Sequence, residues 1–332
     1  MISRVAVVKP DHLGDLVLAS PAMRAIHSHY QGNVSFFTSS TTQKLLKFFF
    51  PAAYVHSVDF PYLARTTLPH FDLDRLIEIL NQHEFVFFLR DDSAMREVGS
   101  RLTVPHEFSY GGHLTHETAI HKRALVKHIP NYSRTAHFSG NQIFWPSQLR
   151  RVGLCIAAGF PTNRWANVYW LKLAKILARK GIAITLIGGP GERQDLQLLS
   201  RSLPRISPRV VQGCGDFGQF FDEISDVDLV VASDGGTAHL CSLKKPMLSI
   251  FGSSPWRRYA PFGHSNVLLT RDLVCSPCTQ FSSVDLNGCM TRECSNEISP
   301  AMVAKAVVSN GIDFSALRGL RVERAVSHKY ED

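Results

Sequence analysis

Short apolar runs, mostly β-branched or aromatic, recur along this chain at Val5–Val8, Val34–Phe37, Val86–Leu89, Val152–Ala157, Ile182–Ile187, Leu229–Ala232, Met247–Phe251 and Val267–Leu269. Continuous runs of this length are the mark of strands buried on both faces, as in parallel sheets covered by helices. Between them lie helix-like stretches. Val168–Lys180 has helical apolar spacing and stops at Gly181, and Ser20-Pro21 reads as an N-cap followed by proline at the first helical position. Strand alternating with helix makes an α/β chain. At 332 residues the chain is about twice a typical domain of roughly 150 residues, so two domains are expected. Thr115 to Arg150 lacks strong periodicity and ends in Trp145-Pro146-Ser147-Gln148. The boundary is placed there, giving domains 1–148 and 149–332.

The chain carries 36 basic and 28 acidic residues, a net charge of +8 and a pI near 9.2, which favours anionic partners. The excess is spread over both halves, with no polybasic tail, so nucleic acid is not an expected partner. The opening apolar stretch is too short for a signal peptide, and nowhere is there a run of about 18 apolar residues; a cytoplasmic location is expected.

Two strand edges carry chemistry. Gly14-Asp15 follows the first apolar run, and in an open α/β sheet that edge is where ligands bind. Asp15 is therefore a candidate general base, with a helix N-cap as the alternative. The second edge, Ser233-Asp234-Gly235-Gly236-Thr237-Ala238-His239, offers helix-start amides, a hydroxyl and an imidazole to a phosphate or nucleotide sugar, or else is a glycine-rich turn capped by Asp234. Gly188-Gly189-Pro190-Gly191-Glu192 adds another glycine turn. It lacks both the GxGxxG spacing and a P-loop lysine, so neither a nicotinamide cofactor nor ATP hydrolysis is supported.

Asp72-Leu73-Asp74 and Asp226-Val227-Asp228 mimic a metal-binding Asp-x-Asp, but the first opens a helix and the second precedes a strand, so both read as structural. Cys155, Cys214 and Cys241 sit singly in apolar segments and read as buried thiols. Cys275, Cys278, Cys289 and Cys294 have the ligand type and pairing of a structural zinc or iron knuckle, or are plain thiols. Six histidines between His106 and His137 accompany Lys122, Arg123, Lys127 and Arg134, either a cationic face for a phosphorylated acceptor or a solvated surface. Phe48-Phe49-Phe50 is core, or an aromatic cluster that grazes a membrane surface.

Taken in order, Gly14-Asp15 with Ser20-Pro21-Ala22, Asn163-Arg164-Trp165, Gly188-Gly189-Pro190 with Glu192, Asp234 to His239, Pro246 with Phe251-Gly252, and Cys275-Ser276-Pro277-Cys278 resemble the bacterial heptosyltransferases of lipopolysaccharide synthesis, glycosyltransferase family nine. The resemblance implies a GT-B architecture of two Rossmann-like domains with parallel sheets facing across a cleft, acceptor on the first and sugar nucleotide on the second. It implies inverting, metal-independent transfer from ADP-heptose to a lipopolysaccharide core acceptor, a phosphorylated glycolipid, with Asp15 as base and peripheral contact with the inner membrane. Asn163, Arg164, Gly189, Glu192, Asp234, Gly235, Gly236, Thr237 and His239 would bind the donor, and Lys122 and Arg123 the acceptor. Family members commonly carry lysine at the position of Asn163, threonine at Gly235 and proline at Ala166. Alternatives are a protein, capsule or small-molecule acceptor, another sugar nucleotide, or a noncatalytic binding protein. Whether the stretch after Gly311 folds back on the first domain is left open.

Overall fold

The computed structural model describes residues 5–60, 72–112, 114–132, 146–213, 215–262, 266–271, 273–278, 289, 291–309 and 321–324. Arg134, His113, His137 and Cys214 lie outside them, as does most of the stretch after Gly311. The chain divides into two compact units, residues 1–138 and 139–332.

The first unit runs β1 (Val5–Lys9), α1 (Leu13–His29), β2 (Val34–Thr38), α2 (Gln43–Phe49), β3 (Tyr54–Ser57), α3 (Leu73–Leu80), β4 (Phe85–Phe88), α4 (Ser93–Ser100), β5 (His106–Phe108) and α5 (Glu117–Leu125). Its sheet has the order β3-β2-β1-β4-β5, every pair parallel, with Val5 beside Val34 on one side and Phe85 on the other. Ala6, Val8, Phe37, Val86 and Phe88 pack with Leu76, Leu80, Met95 and Val98 in one core. Asp72 N-caps α3 by accepting from the Arg75 amide at 2.9 Å, the structural role expected of the Asp72-Leu73-Asp74 motif.

Helix α1 departs from the sequence reading. It begins at Leu13 and runs straight through Ser20-Pro21, so this pair is helix interior and not a start. Proline lacks the N–H that would bond the carbonyl four residues back, here Val17. The Ser20 hydroxyl donates to that carbonyl at 2.7 Å and so replaces the missing N–H donor.

The second unit continues with β6 (Arg151–Cys155), α6 (Asn167–Ala178), β7 (Ala183–Gly188), α7 (Arg193–Arg201), β8 (Arg209–Gln212), α8 (Phe217–Glu223), β9 (Leu229–Ser233), α9 (Gly236–Ser242), β10 (Met247–Phe251), α10 (Trp256–Tyr259), β11 (Asn266–Thr270), α11 (Glu293–Asn296), α12 (Pro300–Val308) and β12 (Arg321–Arg324). Its sheet order is β12-β11-β10-β9-β6-β7-β8, parallel except for β12, which runs antiparallel to β11. Without β12 this is the doubly wound Rossmann order. Trp165 is buried at the centre of the core, donates from Nε1 to the Ile298 carbonyl at 2.9 Å and meets Trp170 edge to face at 4.8 Å. It is a packing residue. Asp226 pairs with Arg151 and Arg209, and Asp228 accepts from the Arg150 and Arg151 amides, so this Asp-x-Asp is also structural. Cys155 and Cys241 are fully buried, and a hydrogen bond with Cys155, followed by burial, pushes the Cys241 thiol well up.

Candidate active site

Each sheet reverses its strand order once, between β1 and β4 and between β6 and β9. Open α/β sheets bind ligands at the carboxyl ends of the strands beside such a reversal, and in both units buried polar side chains gather there.

In the first unit β1 ends at Lys9. Lys9 and Asp11 are both buried and pair at 2.9 Å, while Arg90, just past β4, donates to both Asp11 and Asp92. Asp92 also caps α4 through the Met95 amide at 2.9 Å. Burial works against the charge on Lys9, but the carboxylates of Asp11, Glu117 and Asp15 outweigh it and raise the ammonium pKa. Burial likewise opposes ionisation of Asp11, and the Lys9 and Arg90 charges override it, so its pKa is lowered. Asp15 lies in the first turn of α1, where the N-cap is His12. It is therefore not the cap considered as its alternative role, and a carboxylate there gains from the helix dipole.

Helix α5 packs on α1 and presents buried Glu117 and His121 to this cluster. The His121 Nε2 lies 3.7 Å from Glu117. Burial, reinforced by the Lys9 charge, lowers the imidazole pKa to about 3, so the ring is neutral at ordinary pH. The sequence reading missed Lys9, Asp11, Arg90 and Glu117, and took His121 only as one of the histidines of a cationic face. The legible signal was charge immediately after an apolar run, as in Lys9-Pro10-Asp11 and Arg90-Asp91-Asp92.

The four described histidines of the stretch from His106 to His137, which are His106, His116, His121 and His128, do not make one cationic face. His106 packs on Phe88 and Phe108, His128 packs on Phe85 and Phe87, His116 caps α5 by accepting from the Thr118 amide and His121 is buried. Lys122 and Arg123 occupy the last turn of α5, Lys122 partly buried and Arg123 exposed. Phe50 is buried while Phe48 is exposed.

In the second unit Asn163 knits three loops together. Its amide nitrogen donates to Asp234 at 3.1 Å and to Ser254 at 2.7 Å, and its oxygen accepts from Ser253. A side chain so committed shapes the site instead of reaching out of it. Arg164 is partly exposed and pairs with Asp195 at 3.2 Å and Glu192 at 3.5 Å, and Glu192 also accepts from the Gly189 amide at 3.0 Å. His239 is buried, 3.8 Å from Asp234, and so touches the site through that carboxylate. Gly236 opens α9, whose first amides have no helical partner, with Thr237 beside them. Gly235 sits where a Cβ would lie 2.9 Å from the Ala157 carbonyl oxygen and 3.0 Å from Ala158 Cα, so its missing side chain admits the 157–159 loop. Arg292, which the sequence reading did not single out, donates to the Pro161 carbonyl at 3.2 Å and brings a second guanidinium to this region.

The four clustered cysteines do not form a metal centre as placed. Among the described residues no group of three or more His, Cys, Asp or Glu side chains is arranged to hold a metal. Cys275 and Cys289 are exposed while Cys294 is buried. Burial first, and then the neighbouring thiols, push Cys294 up to about 11.

Two parallel-sheet α/β units, each with its polar residues at the carboxyl ends of its central strands, define the GT-B fold class. The chain belongs to glycosyltransferase family 9 (heptosyltransferase), whose model matches residues 121–287. It is 29% identical over 125 residues to lipooligosaccharide heptosyltransferase 2 of Haemophilus ducreyi, a match covering 36% of each chain; the match thus spans about a third of that relative's length. The solved Escherichia coli ADP-heptose LPS heptosyltransferase II superposes with a TM-score of 0.65 at 15% identity, covering 92% of this chain and 98% of that one. The Escherichia coli heptosyltransferase WaaC with ADP-2-deoxy-2-fluoro heptose superposes with a TM-score of 0.64, also at 15% identity, covering 92% and 99%. The family match does not reach Asp15.

Proposed function

We propose that this chain is an inverting glycosyltransferase that moves heptose from ADP-heptose to a lipopolysaccharide core acceptor, with Asp15 as general base. The observation that carries the reading is the gathering of polar residues at the switch point of each unit's sheet, in a chain whose family is described as heptosyltransferase. The similar proteins named for ADP-heptose and lipopolysaccharide point to the donor and the acceptor.

In this reading Asp15 takes the proton from the acceptor hydroxyl. The freed oxygen pair forms the new bond to the anomeric carbon, and the bond from that carbon to the diphosphate breaks, releasing ADP. Negative charge builds on the leaving diphosphate, and donors aimed at it stabilise the transition state without a metal ion. Arg164 and the Gly236 and Thr237 amides supply them, Glu192 and Asp195 hold the guanidinium in place, and Asp234, Gly235 and Gly189 shape the backbone around it. Lys122 and Arg123 meet the phosphorylated acceptor. Among the described residues no helix is long and apolar enough to cross a membrane, and the reading places the enzyme in the cytoplasm, drawing its acceptor from the inner-membrane surface.

Acceptor-dependent release of ADP from ADP-heptose, measured with heptose-free lipopolysaccharide core, tests the proposal; no release with folded protein overturns it. The committed amide of Asn163, where family members commonly carry lysine, favours a second reading in which the donor is another sugar nucleotide. A larger rise in melting temperature with GDP- or UDP-sugars than with ADP-heptose would select it, because a ligand that prefers the native state stabilises it.

A further inference from the structure

Helix α2 has two unlike faces. Leu45 and Leu46 are buried, and Phe50, just past the helix end, stacks on Phe36 at 4.9 Å in the core. Lys44, Lys47 and Phe48 are exposed on the opposite face, Phe48 by 43%, and spacings of three and four residues set their side chains next to one another. The chain then stays at the surface through Pro51 and Ala52 to Tyr54, which is 73% exposed at the start of the edge strand β3, and α2 packs on that strand. A single exposed aromatic is ordinary on a protein surface; here two aromatics bracket exposed Pro51 and Ala52, and two lysines border them. Charge around the patch has one sign. Between Asp15 and Asp59 the sequence holds Arg24, Lys44 and Lys47 but no Asp or Glu, and Asp59 accepts from the Ser40 amide at 2.8 Å, before the other end of the helix.

We propose that the exposed face of α2, with the loop to Tyr54, is the surface by which this chain lies on an anionic lipid bilayer. Phe48 and Tyr54 enter the headgroup region, and Lys44 and Lys47 meet lipid phosphates. The inference rests on the reading of the acceptor as a membrane glycolipid and names the residues that make the contact. Apolar side chains flanked by lysines are what holds an amphipathic segment in the interface plane, and each lysine close to an anionic surface strengthens binding about fivefold. A second copy of the chain fits the patch poorly. A two-fold contact presents one patch to itself, so Lys44 and Lys47 would face their own copies, with no carboxylate in the segment to pair them.

The test is sedimentation of the full chain with vesicles of phosphatidylglycerol and phosphatidylcholine in equal parts, beside vesicles of phosphatidylcholine alone. The parent should sediment with the anionic vesicles, and less so as salt is raised. Replacing both lysines, Lys44→Gln with Lys47→Gln, should weaken that binding by at least about fivefold and flatten its salt dependence, whereas Phe48→Ser should weaken it at low and high salt alike. A Phe48→Trp protein should show a blue shift of its emission with the anionic vesicles that the parent lacks. A parent that stays in the supernatant, or variants that sediment as the parent does, overturn the proposal. A parent that is a dimer and is dissociated by Phe48→Ser gives the face to a second copy and overturns it as well. If Phe48→Ser does not fold, the double lysine variant and Phe48→Trp decide. Release of ADP with a lipid-free core acceptor reports on the enzyme by itself: its loss with vesicle binding intact would strike the activity and leave the surface standing, and its retention without vesicle binding would strike the surface alone.

Discussion

The hydroxyl of Ser20 donates to the carbonyl of Val17 at 2.7 Å, one residue before the proline that leaves this carbonyl without its helical donor. The pair is a local repair inside a buried helix. Ser20→Ala should cost about 1–3 kcal/mol, the price of a buried unsatisfied acceptor. In a Pro21→Ala background, where residue 21 regains its N–H, the same change should cost clearly less. Chemical denaturation of the two singles and the double measures the coupling, and equal costs in both backgrounds would refute this account.

Asp15→Asn should bind donor as the parent does and lose turnover by at least about a hundredfold, the lower end of what a positioned base contributes. Donor affinity by calorimetry and initial rates of ADP release separate the two effects. Near-normal turnover would take Asp15 out of the reaction.

Gly235→Ala brings a Cβ to 2.9 Å from a backbone oxygen and 3.0 Å from a backbone carbon, neither of which can rotate aside. The expected cost is about 1–3 kcal/mol, as for other overpacking changes, together with weaker donor binding as the 157–159 loop moves. Gly191→Ala meets nothing within 4 Å and should change stability by less than about 0.5 kcal/mol. Melting curves of the two variants side by side make the comparison, and equal melting temperatures would contradict it.

His121 should make the protein acid-sensitive. Its folded pKa of about 3 lies below the ordinary imidazole value of 6.5, so between these pH values the unfolded chain binds a proton that the native state refuses. Stability is then fully present above the unfolded pKa and falls as pH drops through this window, by up to about 1.4 kcal/mol per pH unit from this group. His121→Leu should flatten the dependence between pH 6.5 and 4 in a series of denaturant titrations. An unchanged slope would show that His121 protonates in the folded state.

How much was legible in the sequence divides along the sheets. Among the described residues, all the strands read from apolar runs, β1, β2, β4, β6, β7, β9, β10 and β11, are interior strands of the two sheets, and those not read, β3, β5, β8 and β12, are the edges. An interior strand of a parallel sheet is covered on both faces and must be continuously apolar. An edge strand such as Arg209–Gln212 or Tyr54–Ser57 is partly exposed and carries no such run. The glycine turns after β7 and β9 and the acid after β1 were readable for a related reason, since chemistry in such folds gathers where strands end.

From the sequence alone came the fold class, the interior strands, the strand-end turns and the family, because apolar periodicity and glycine placement act over a few residues. The partners of each charge were decided only in three dimensions. Lys9, Asp11 and Arg90 come together because strands β1 and β4 are neighbours, although Asp11 and Arg90 are 79 residues apart. Asn163 is locked by Asp234 and Ser254, 71 and 91 residues away. Pairing of this kind depends on strand order, and strand order is set by the packing of whole helices and sheets, which no short window of sequence contains.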